Sequence, residues 1–263
     1  MIAENQKNAS FIVSTIKLLS SRDGTRLRGA FEGFDVVFID EAQRIPEIGI
    51  NLKIVHDSMP GLRIIASGSS ALDLASKTKE SLAGRSWSFM LYPFSQHEIL
   101  RHYGRFELER QLDRDLIFGS YPETYGFKGD EERTAFLREL HSSYLFRDIL
   151  EMGGIRNAAI GDYRPFAERP DRGALWENFV IAERRKRATS LSTAASSYFW
   201  RLTSGAEIDY VEDSNGQVSG WEIKLSPEAK ANPPKRWIET YPGASWAKVD
   251  RSNYLEFVAA DSP

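Results

Sequence analysis

Short apolar runs alternate with helical spacings through the first third of the chain. The runs Val36–Ile39 and Arg63–Ala66 are brief and mostly apolar, as is typical of strands buried on both faces of a parallel sheet. Between them, apolar residues recur every three or four positions from Ile48 to Met59, which predicts an amphipathic helix. Strand, helix and strand in this order form the unit of a parallel sheet, so the pattern predicts an α/β fold.

The middle of the chain is predicted to be helical. Leucines recur at four-residue spacing from Leu108 to Leu116, and a second apolar stripe runs from Phe136 to Leu145. Gly119 to Pro122 has the composition of a turn and separates the two stripes. We therefore expect a bundle of helices rather than further strands in this region.

After Gly153 the pattern changes to a helix followed by several strands. The spacing predicts a helix from Gly173 to Lys186, and a second one near Pro234–Thr240. Strands are predicted at 197–202, 206–211, 220–225, 247–249 and 254–258. Asn215-Gly216 favours a two-residue type I′ hairpin turn, because both turn positions need positive φ. These changes of pattern divide the chain into regions 1–98, 99–152 and 153–263.

Composition narrows the class of protein. The 263 residues are 41% hydrophobic and 27% charged, as in an ordinary soluble globular protein. The absence of cysteine excludes disulfides, thiolate metal ligands and a cysteine nucleophile. With a net charge of −3, any contact with nucleic acid must come from a local basic patch. The chain has no membrane-length apolar run and no signal-peptide pattern, so we expect a cytoplasmic protein without a membrane partner.

Two carboxylates follow the first predicted strand. Asp40 and Glu41 have the arrangement in which nucleotide hydrolases hold Mg²⁺ and orient the attacking water. Ser69 lies in a small polar stretch after the second strand, and Arg85 is a cation suited to a phosphate. The alternative is a solvated acidic pair, a Gly/Ser turn and a surface arginine. A phosphate-binding GxxxxGK[ST] loop is not found, because the chain contains no Gly-Lys pair.

A second polar group lies on the predicted hairpin. A two-residue turn would place Asp209 opposite Glu222, and Glu207 opposite Lys224. Opposed carboxylates repel each other, so this geometry favours a bound Mg²⁺ or Mn²⁺, which Glu177 on the preceding helix could join. Lys224 would then act on a metal-bound water or on a phosphate. The alternative is an ordinary Glu207–Lys224 ion pair at a wet edge of the sheet.

These motifs together resemble a known family. The chain is similar to prokaryotic AAA-type P-loop ATPases fused to a C-terminal domain of unknown function, which is itself related to PD-(D/E)XK nucleases. In the first half the likeness is carried by DVVFIDEAQRIPEIG, IIASGSSALDLA, SLAGRSWSFMLYPFSQHEIL, FGSYPETY and SYLFRDIL. In the second half it is carried by GGIRNAAIGDYRPFAERPDRGALWENFVIAERRK, YFWRLTSGAEIDYVED and WEIK.

The resemblance implies a fold and a set of roles. The fold is a truncated AAA/P-loop-like parallel sheet with a helical lid, followed by a small restriction-endonuclease-like α/β domain. ATP with Mg²⁺ is implied for the first site, and Mg²⁺ or Mn²⁺ for the second. By position, the implied catalytic residues are Glu41 and Lys224. The implied cofactor-binding residues are Asp40, Ser69 and Arg85, and the implied metal ligands are Asp209, Glu222 and Glu177.

The chain lacks two features of the family, and this changes the function that we expect. Members normally begin with a GxxGxGKT-type loop and carry a winged helix after the SYLFRDIL-like motif, and neither is found here. We therefore expect an AAA-type ATPase associated with DNA but impaired in ATP binding. The alternatives are a Mg²⁺-dependent DNA endonuclease using the second site, or a non-catalytic remnant or interaction module. An exposed sheet edge is expected to allow self-association.

Overall fold

The computed structural model describes residues 18–68, 82–143, 153–190 and 195–259. The chain forms two compact units, Met1–Met90 and Leu91–Pro263. Both contain helices together with a sheet, which confirms the α/β class predicted from the sequence. Within the described ranges, no helix is both long enough and apolar enough to cross a membrane.

The first unit is a small parallel sheet flanked by helices. Asp23 begins α1 by accepting hydrogen bonds from the backbone N–H groups of Thr25 and Arg26, each at 3.1 Å. The predicted strands and the helix between them are confirmed. In chain order the elements are α1 (Gly24–Phe31), β1 (Val36–Ile39), a 3₁₀ turn (Ala42–Arg44), α2 (Ile48–Ser58) and β2 (Arg63–Ala66).

The two strands run parallel, from the Val36–Arg63 pair to the Ile39–Ala66 pair. One face of this sheet packs on a core that includes Leu27, Phe31, Val37, Ile39, Ile48, Leu52 and Val55. The other face is open, because Val36, Phe38 and Ile65 are 40%, 48% and 54% exposed. Burial on both faces, which the apolar runs predicted, is therefore wrong for this sheet.

The second unit begins with a group of helices. Ser95 and Glu98 form a capping box at the start of α3, in which each side chain bonds the other residue's backbone N–H. The helices are α3 (Gln96–Tyr103), α4 (Arg105–Phe118), α5 (Pro122–Gly126), α6 (Asp130–Ser143), α7 (Gly153–Ile160) and α8 (Arg172–Ser190), with a 3₁₀ turn (Phe166–Glu168) before α8. The helical prediction for the middle of the chain is confirmed in α4 and α6, whereas Tyr144 and Leu145, at the end of the second stripe, lie outside the described residues.

A four-stranded sheet follows α8. Its elements are β3 (Ser196–Arg201), β4 (Glu207–Ser214), β5 (Gln217–Ile223), α9 (Lys235–Thr240), β6 (Ser245–Val249) and α10 (Tyr254–Ala259). The strand order is β3-β4-β5-β6, and only the β5–β6 pair is parallel. The predicted turn is confirmed, since Asn215 and Gly216 have φ values of 54° and 85°.

The strand predicted at 254–258 is a helix. Tyr254, Phe257 and Val258 are buried at helical spacing, so a short apolar run that also suits a strand packs instead as one face of α10. Phe257 and Val258 join the same core as Trp176 on α8. The sequence prediction failed here because a run of this length fits both periods.

The helices and the sheet of the second unit share one core. Leu108, Leu116 and Leu137 pack in the same cluster as Leu175 of α8 and Ile223 of β5. The structural division therefore falls between residues 90 and 91, whereas the sequence pattern placed boundaries at 98 and 152. The difference arises because side-chain packing links helices to strands that are distant in the chain.

Strand β4 contains a β-bulge. Tyr198 pairs with Val211 and Trp200 pairs with Ile208, so Asp209 and Tyr210 together lie opposite the single residue between those two β3 positions. Five successive residues, from Ile208 to Glu212, are buried, which strict alternation would not allow. Ile208 and Val211 pack with Trp237, whereas Tyr210 belongs to the core shared with the helices.

Candidate functional sites

The first candidate site lies where β1 and β2 end. Ser67 Oγ donates a hydrogen bond to Asp40 Oδ1, and the backbone N–H of Glu41 donates to the same oxygen at 3.0 Å. The backbone of Ser67 bonds that of Ile39 at 2.8 Å and that of Ala42 at 2.9 Å. The structure thus holds an acid from one strand against a hydroxyl from the next, at the edge where open α/β sheets bind ligands.

The other predicted residues of this site have different surroundings. Glu41 adopts the left-handed conformation, with φ of 52°, and its Oε2 lies 2.9 Å from Gln43 Nε2 and 3.0 Å from Arg44 Nε. Arg85 Nε lies 3.4 Å from Asp57 Oδ1, so its charge faces a carboxylate of α2. Ser69 lies outside the described residues.

The second candidate site is a cluster of carboxylates around Lys224, which follows β5 directly. Lys224 Nζ lies 2.5 Å from Glu222 Oε1 and 3.9 Å from Asp209 Oδ2. Asp209 Oδ2 also accepts a hydrogen bond of 2.7 Å from the backbone N–H of Ile223. Glu177 of α8 is close enough for its charge to act on both Asp209 and Lys224. We call Glu177, Asp209, Glu222 and Lys224 the C-terminal cluster.

The predicted hairpin register is confirmed, but the ladder ends early. Pairing runs from Ser214–Gln217 to Tyr210–Trp221, as the turn required. Beyond that pair, the side chain of Asp209 accepts the hydrogen bond from the Ile223 N–H, which in a continued ladder would go to a backbone carbonyl of β4. The alternative Glu207–Lys224 ion pair is wrong, because Glu207 lies 3.7 Å from Arg201 and Lys224 holds the other two acids.

Burial and charge both perturb the C-terminal cluster. Burial raises the pKa of Glu177 to about 7, and the negative charge of Asp209 adds to this rise. Burial also raises the pKa of Asp209, against the opposing effect of the Ile223 hydrogen bond. Burial works to lower the pKa of Lys224, but the hydrogen bond and charge of Glu222 outweigh it and the net pKa is raised. The ionised forms of Glu177 and Asp209 are therefore less favourable here than in water, and the ammonium of Lys224 offsets this only in part.

The chemistry of these donors resembles a divalent-metal site, but their arrangement does not fit one. Carboxylate oxygens are the ligands that Mg²⁺ and Mn²⁺ prefer. Across residues 18–68, 82–143, 153–190 and 195–259, however, no three Asp, Glu or His side chains are grouped so as to hold a metal ion. In the C-terminal cluster the ammonium of Lys224 bonds Glu222 and approaches Asp209. The metal role of Glu177, Asp209 and Glu222 stays a prediction.

The contacts of Arg184 next to the C-terminal cluster were not predicted from the sequence. Arg184 Nε and Nη2 each donate a hydrogen bond of 2.8 Å to Glu212 of β4, and Arg184 Nη1 donates one of 2.8 Å to the Phe257 carbonyl. This fork ties α8, which also carries Glu177, to the strand that carries Asp209. Sequence spacing could not reveal it, because the bulge in β4 decides which residues face the helix.

Comparisons with known proteins match the two parts of the chain separately. Residues 3–100 match a family described as an AAA domain, and residues 172–249 match a family described as a domain of unknown function, DUF4143. Asp40 and Glu41 lie in the first match, and the whole C-terminal cluster lies in the second. The chain is thus similar to an AAA domain followed by a second domain whose function is unassigned.

The curated relatives carry the name uncharacterized protein. One from Mycobacterium bovis and one from Mycobacterium tuberculosis are each 28% identical over 153 residues, covering 57% of this chain and 30% of the relative. One from Methanocaldococcus jannaschii is 26% identical over 132 residues, covering 46% of this chain and 30% of the relative. The matched part therefore spans less than a third of each relative. No solved structure matches the chain significantly.

Proposed function

We propose that the N-terminal unit binds a nucleoside triphosphate together with Mg²⁺, in the manner of an AAA-type ATPase. The observation that carries this proposal is the contact between Asp40 and Ser67 at the ends of two adjacent parallel strands. The match of residues 3–100 to an AAA domain supports it. An acid held by a hydroxyl at this edge of a sheet suits the metal ion of a nucleotide complex.

The residues of this edge have separate roles in the proposal. Both hydrogen bonds to Asp40 use Oδ1, which leaves Oδ2 to a Mg²⁺ ion. Glu41, whose carboxylate contacts Gln43 and Arg44, would orient a water molecule. Mg²⁺ would neutralise phosphate charge when it is bound.

We expect the affinity for ATP to be low. A backbone nest and a lysine normally supply most phosphate contacts, and the chain contains no Gly-Lys pair. Titration calorimetry with ATP and Mg²⁺ tests this, and binding weaker than micromolar is expected. Micromolar or tighter binding that survives Asp40→Asn would contradict both the affinity and the site.

The experiment needs a matched control on the same strand. Asp40→Asn should abolish the Mg²⁺-dependent part of ATP binding, whereas Asp35→Asn, at the opposite end of β1, should leave it unchanged. Glu41→Gln should retain binding and lose hydrolysis, because it keeps the shape of the side chain and removes its charge. If both aspartate variants bind ATP as the wild type does, the nucleotide does not bind at this edge.

A second candidate function is phosphodiester hydrolysis at the C-terminal cluster. The observation that favours it is the convergence of Asp209 and Glu222 on Lys224, an ammonium that can bind a phosphate oxygen. Conversion of supercoiled plasmid DNA to nicked or linear forms in the presence of Mn²⁺ tests it. Cleavage should be lost in Glu222→Gln and retained in Glu239→Gln, whose carboxylate lies on the surface of α9. Cleavage that persists in Glu222→Gln would assign the activity to another source.

A further inference from the structure

We propose that segment 86–90 of one copy of this chain adds as a third strand to the β1–β2 sheet of a second copy. The segment belongs to the same compact unit as that sheet. The exchange is reciprocal, so each copy gives its segment to the other and receives one beside β2. This inference concerns association between copies and does not depend on either function proposed above.

Segment 86–90 has the pattern of a strand without the pairing of one. Its sequence, Ser-Trp-Ser-Phe-Met, begins with the polar–apolar alternation that is typical of a strand with one apolar face. Trp87 and Phe89 are 89% and 85% exposed. Among the described residues, no backbone hydrogen bond joins this segment to another part of the chain. Both its backbone and its aromatic side chains are therefore available to a partner.

The outer edge of β2 can accept such a strand. In the part of the chain that the structure describes, this sheet has two strands, fewer than the three that independent stability usually needs. On the core side, Val37 and Ile39 of β1 are buried, whereas Ile64 and Ala66 of β2 are only half-buried. The outer side of β2 is thus the less covered one. An open edge of this kind is a template for a strand from another chain.

The open face of the sheet suits the aromatic side of the segment. Ile65 lies next to Phe38 in the parallel ladder, and the two are 54% and 48% exposed. A strand added beside β2 can place Trp87 and Phe89 on this same face, next to Ile65. Aromatic side chains beside aliphatic or aromatic ones on a neighbouring strand are favourable pairs. Strand addition therefore buries apolar surface on both partners while it pairs their backbones.

A second copy is the partner that the exposures favour. Each chain presents both halves of the contact, and because segment 86–90 and Ile65 are exposed together, neither covers the other within one chain. Reciprocal exchange closes with twofold symmetry, the commonest arrangement of oligomers. A tryptophan and a phenylalanine bury about 150–250 Å² each. Two such pairs, with the sheet surface that they cover, reach on the order of the 1,200–2,000 Å² of a stable interface.

The first experiment measures association of the full chain by sedimentation equilibrium. Wild-type protein should form a dimer, and Trp87→Ser and Phe89→Ser should each weaken it by on the order of thirtyfold, as loss of a central aromatic residue does. Phe106→Ser, at an exposed aromatic position of the second unit, should dimerise as the wild type does. Circular dichroism shows that each variant is folded. A monomeric wild type, or equal dimerisation of all four proteins, would overturn the proposal.

The second experiment identifies which surfaces meet, and it uses the absence of cysteine from the chain. Ser88→Cys protein and affinity-tagged Ile65→Cys protein are mixed and treated with a short bismaleimide. Strand addition predicts a cross-linked pair that contains one copy of each, and no such pair when Phe106→Cys replaces Ile65→Cys. Cross-links only between two Ser88→Cys copies would show that the segments contact each other instead. Cross-linked species larger than dimers would show an open-ended exchange, and either result would overturn the reciprocal one.

Discussion

Asp115 is a carboxylate enclosed by the helices of the second unit. Its side chain pairs with Arg114 at 2.8 Å and accepts a hydrogen bond of 2.9 Å from Tyr125 Oη. Burial nevertheless raises the pKa of Asp115 to about 6, and the charge of Glu183 adds to the rise. The two partners reduce this effect without cancelling it, so ionisation of Asp115 is less favourable in the folded protein than in the unfolded chain.

A definite pH dependence of stability follows. Between its ordinary pKa of 3.8 and about 6, the folded state keeps the Asp115 proton that the unfolded state has released. This residue's contribution to the free energy of unfolding therefore falls as pH rises through that window, by on the order of 3 kcal/mol. Urea unfolding from pH 4 to pH 7 should show a shallower decline in Asp115→Asn than in the wild type. Asp130→Asn, an exposed carboxylate on α6, should keep the wild-type slope, and parallel slopes for all three proteins would refute the assignment.

For individual residues, the sequence predicted that Asp209, Glu222 and Lys224 lie close together, but it did not predict which carboxylates contact Lys224. The turn at Asn215-Gly216 fixed the register, so the sequence alone was enough to place Asp209, Glu222 and Lys224 together. The sequence also suggested Glu207 as the partner of Lys224. In the structure Glu207 pairs with Arg201 instead, because the β4–β5 ladder ends before it reaches Glu207 and Lys224.

Gly220 of β5 lies close to the side chains of two neighbouring elements. A Cβ atom added there would lie 3.0 Å from Trp237 Cζ2 and 3.2 Å from Ile208 Cγ2. A side chain at this position would therefore require Trp237 and Ile208 to move by a few tenths of an ångström.

Gly220→Ala should therefore destabilise the protein, by about 1–3 kcal/mol as overpacking usually does. Gly173→Ala is the matched control, because a Cβ there meets no atom within 4 Å and alanine suits a helix better than glycine. The free energy of unfolding of Gly173→Ala should equal or exceed that of the wild type. The measurement is chemical denaturation of both variants, and equal stability of Gly220→Ala and wild type would show that the strand relaxes freely.

Regular elements could be read from periodicity, whereas irregular ones could not. The α2 helix and both strands of the first unit follow directly from apolar spacing. The short helix α10 was mistaken for a strand, because its few apolar residues satisfy either period. The bulge in β4 has no local signature, since packing on both sides of the strand creates it.

For the whole molecule, the open face of the first sheet is the feature with the largest consequence. Parallel sheets are normally covered on both faces, but Val36, Phe38 and Ile65 are half exposed. An apolar surface of this kind favours association. The alternation of strands and helices predicted the α/β class, but nothing local in the chain revealed that one face would stay open.

We predict that the protein self-associates through this face. Phe38→Lys should shift the sedimentation equilibrium toward monomer with little loss of stability, because Phe38 is already 48% exposed. Phe106→Lys, at a position 81% exposed in the second unit, should leave association unchanged. A monomeric wild type, or equal association of the wild type and Phe38→Lys, would contradict this assignment.

The bulge in β4 also bears on how such a protein can change over time. In a regular strand, only alternate residues reach the helix-packed face, so a position there serves either packing or chemistry. The additional residue lets Tyr210 fill the core while its neighbour Asp209 enters the cluster. One inserted residue can thus add an acidic side chain while the neighbouring aromatic residue stays in the core. Deletion of one residue here would restore a regular pairing with β3 and would move one of these two side chains to the other face of the sheet.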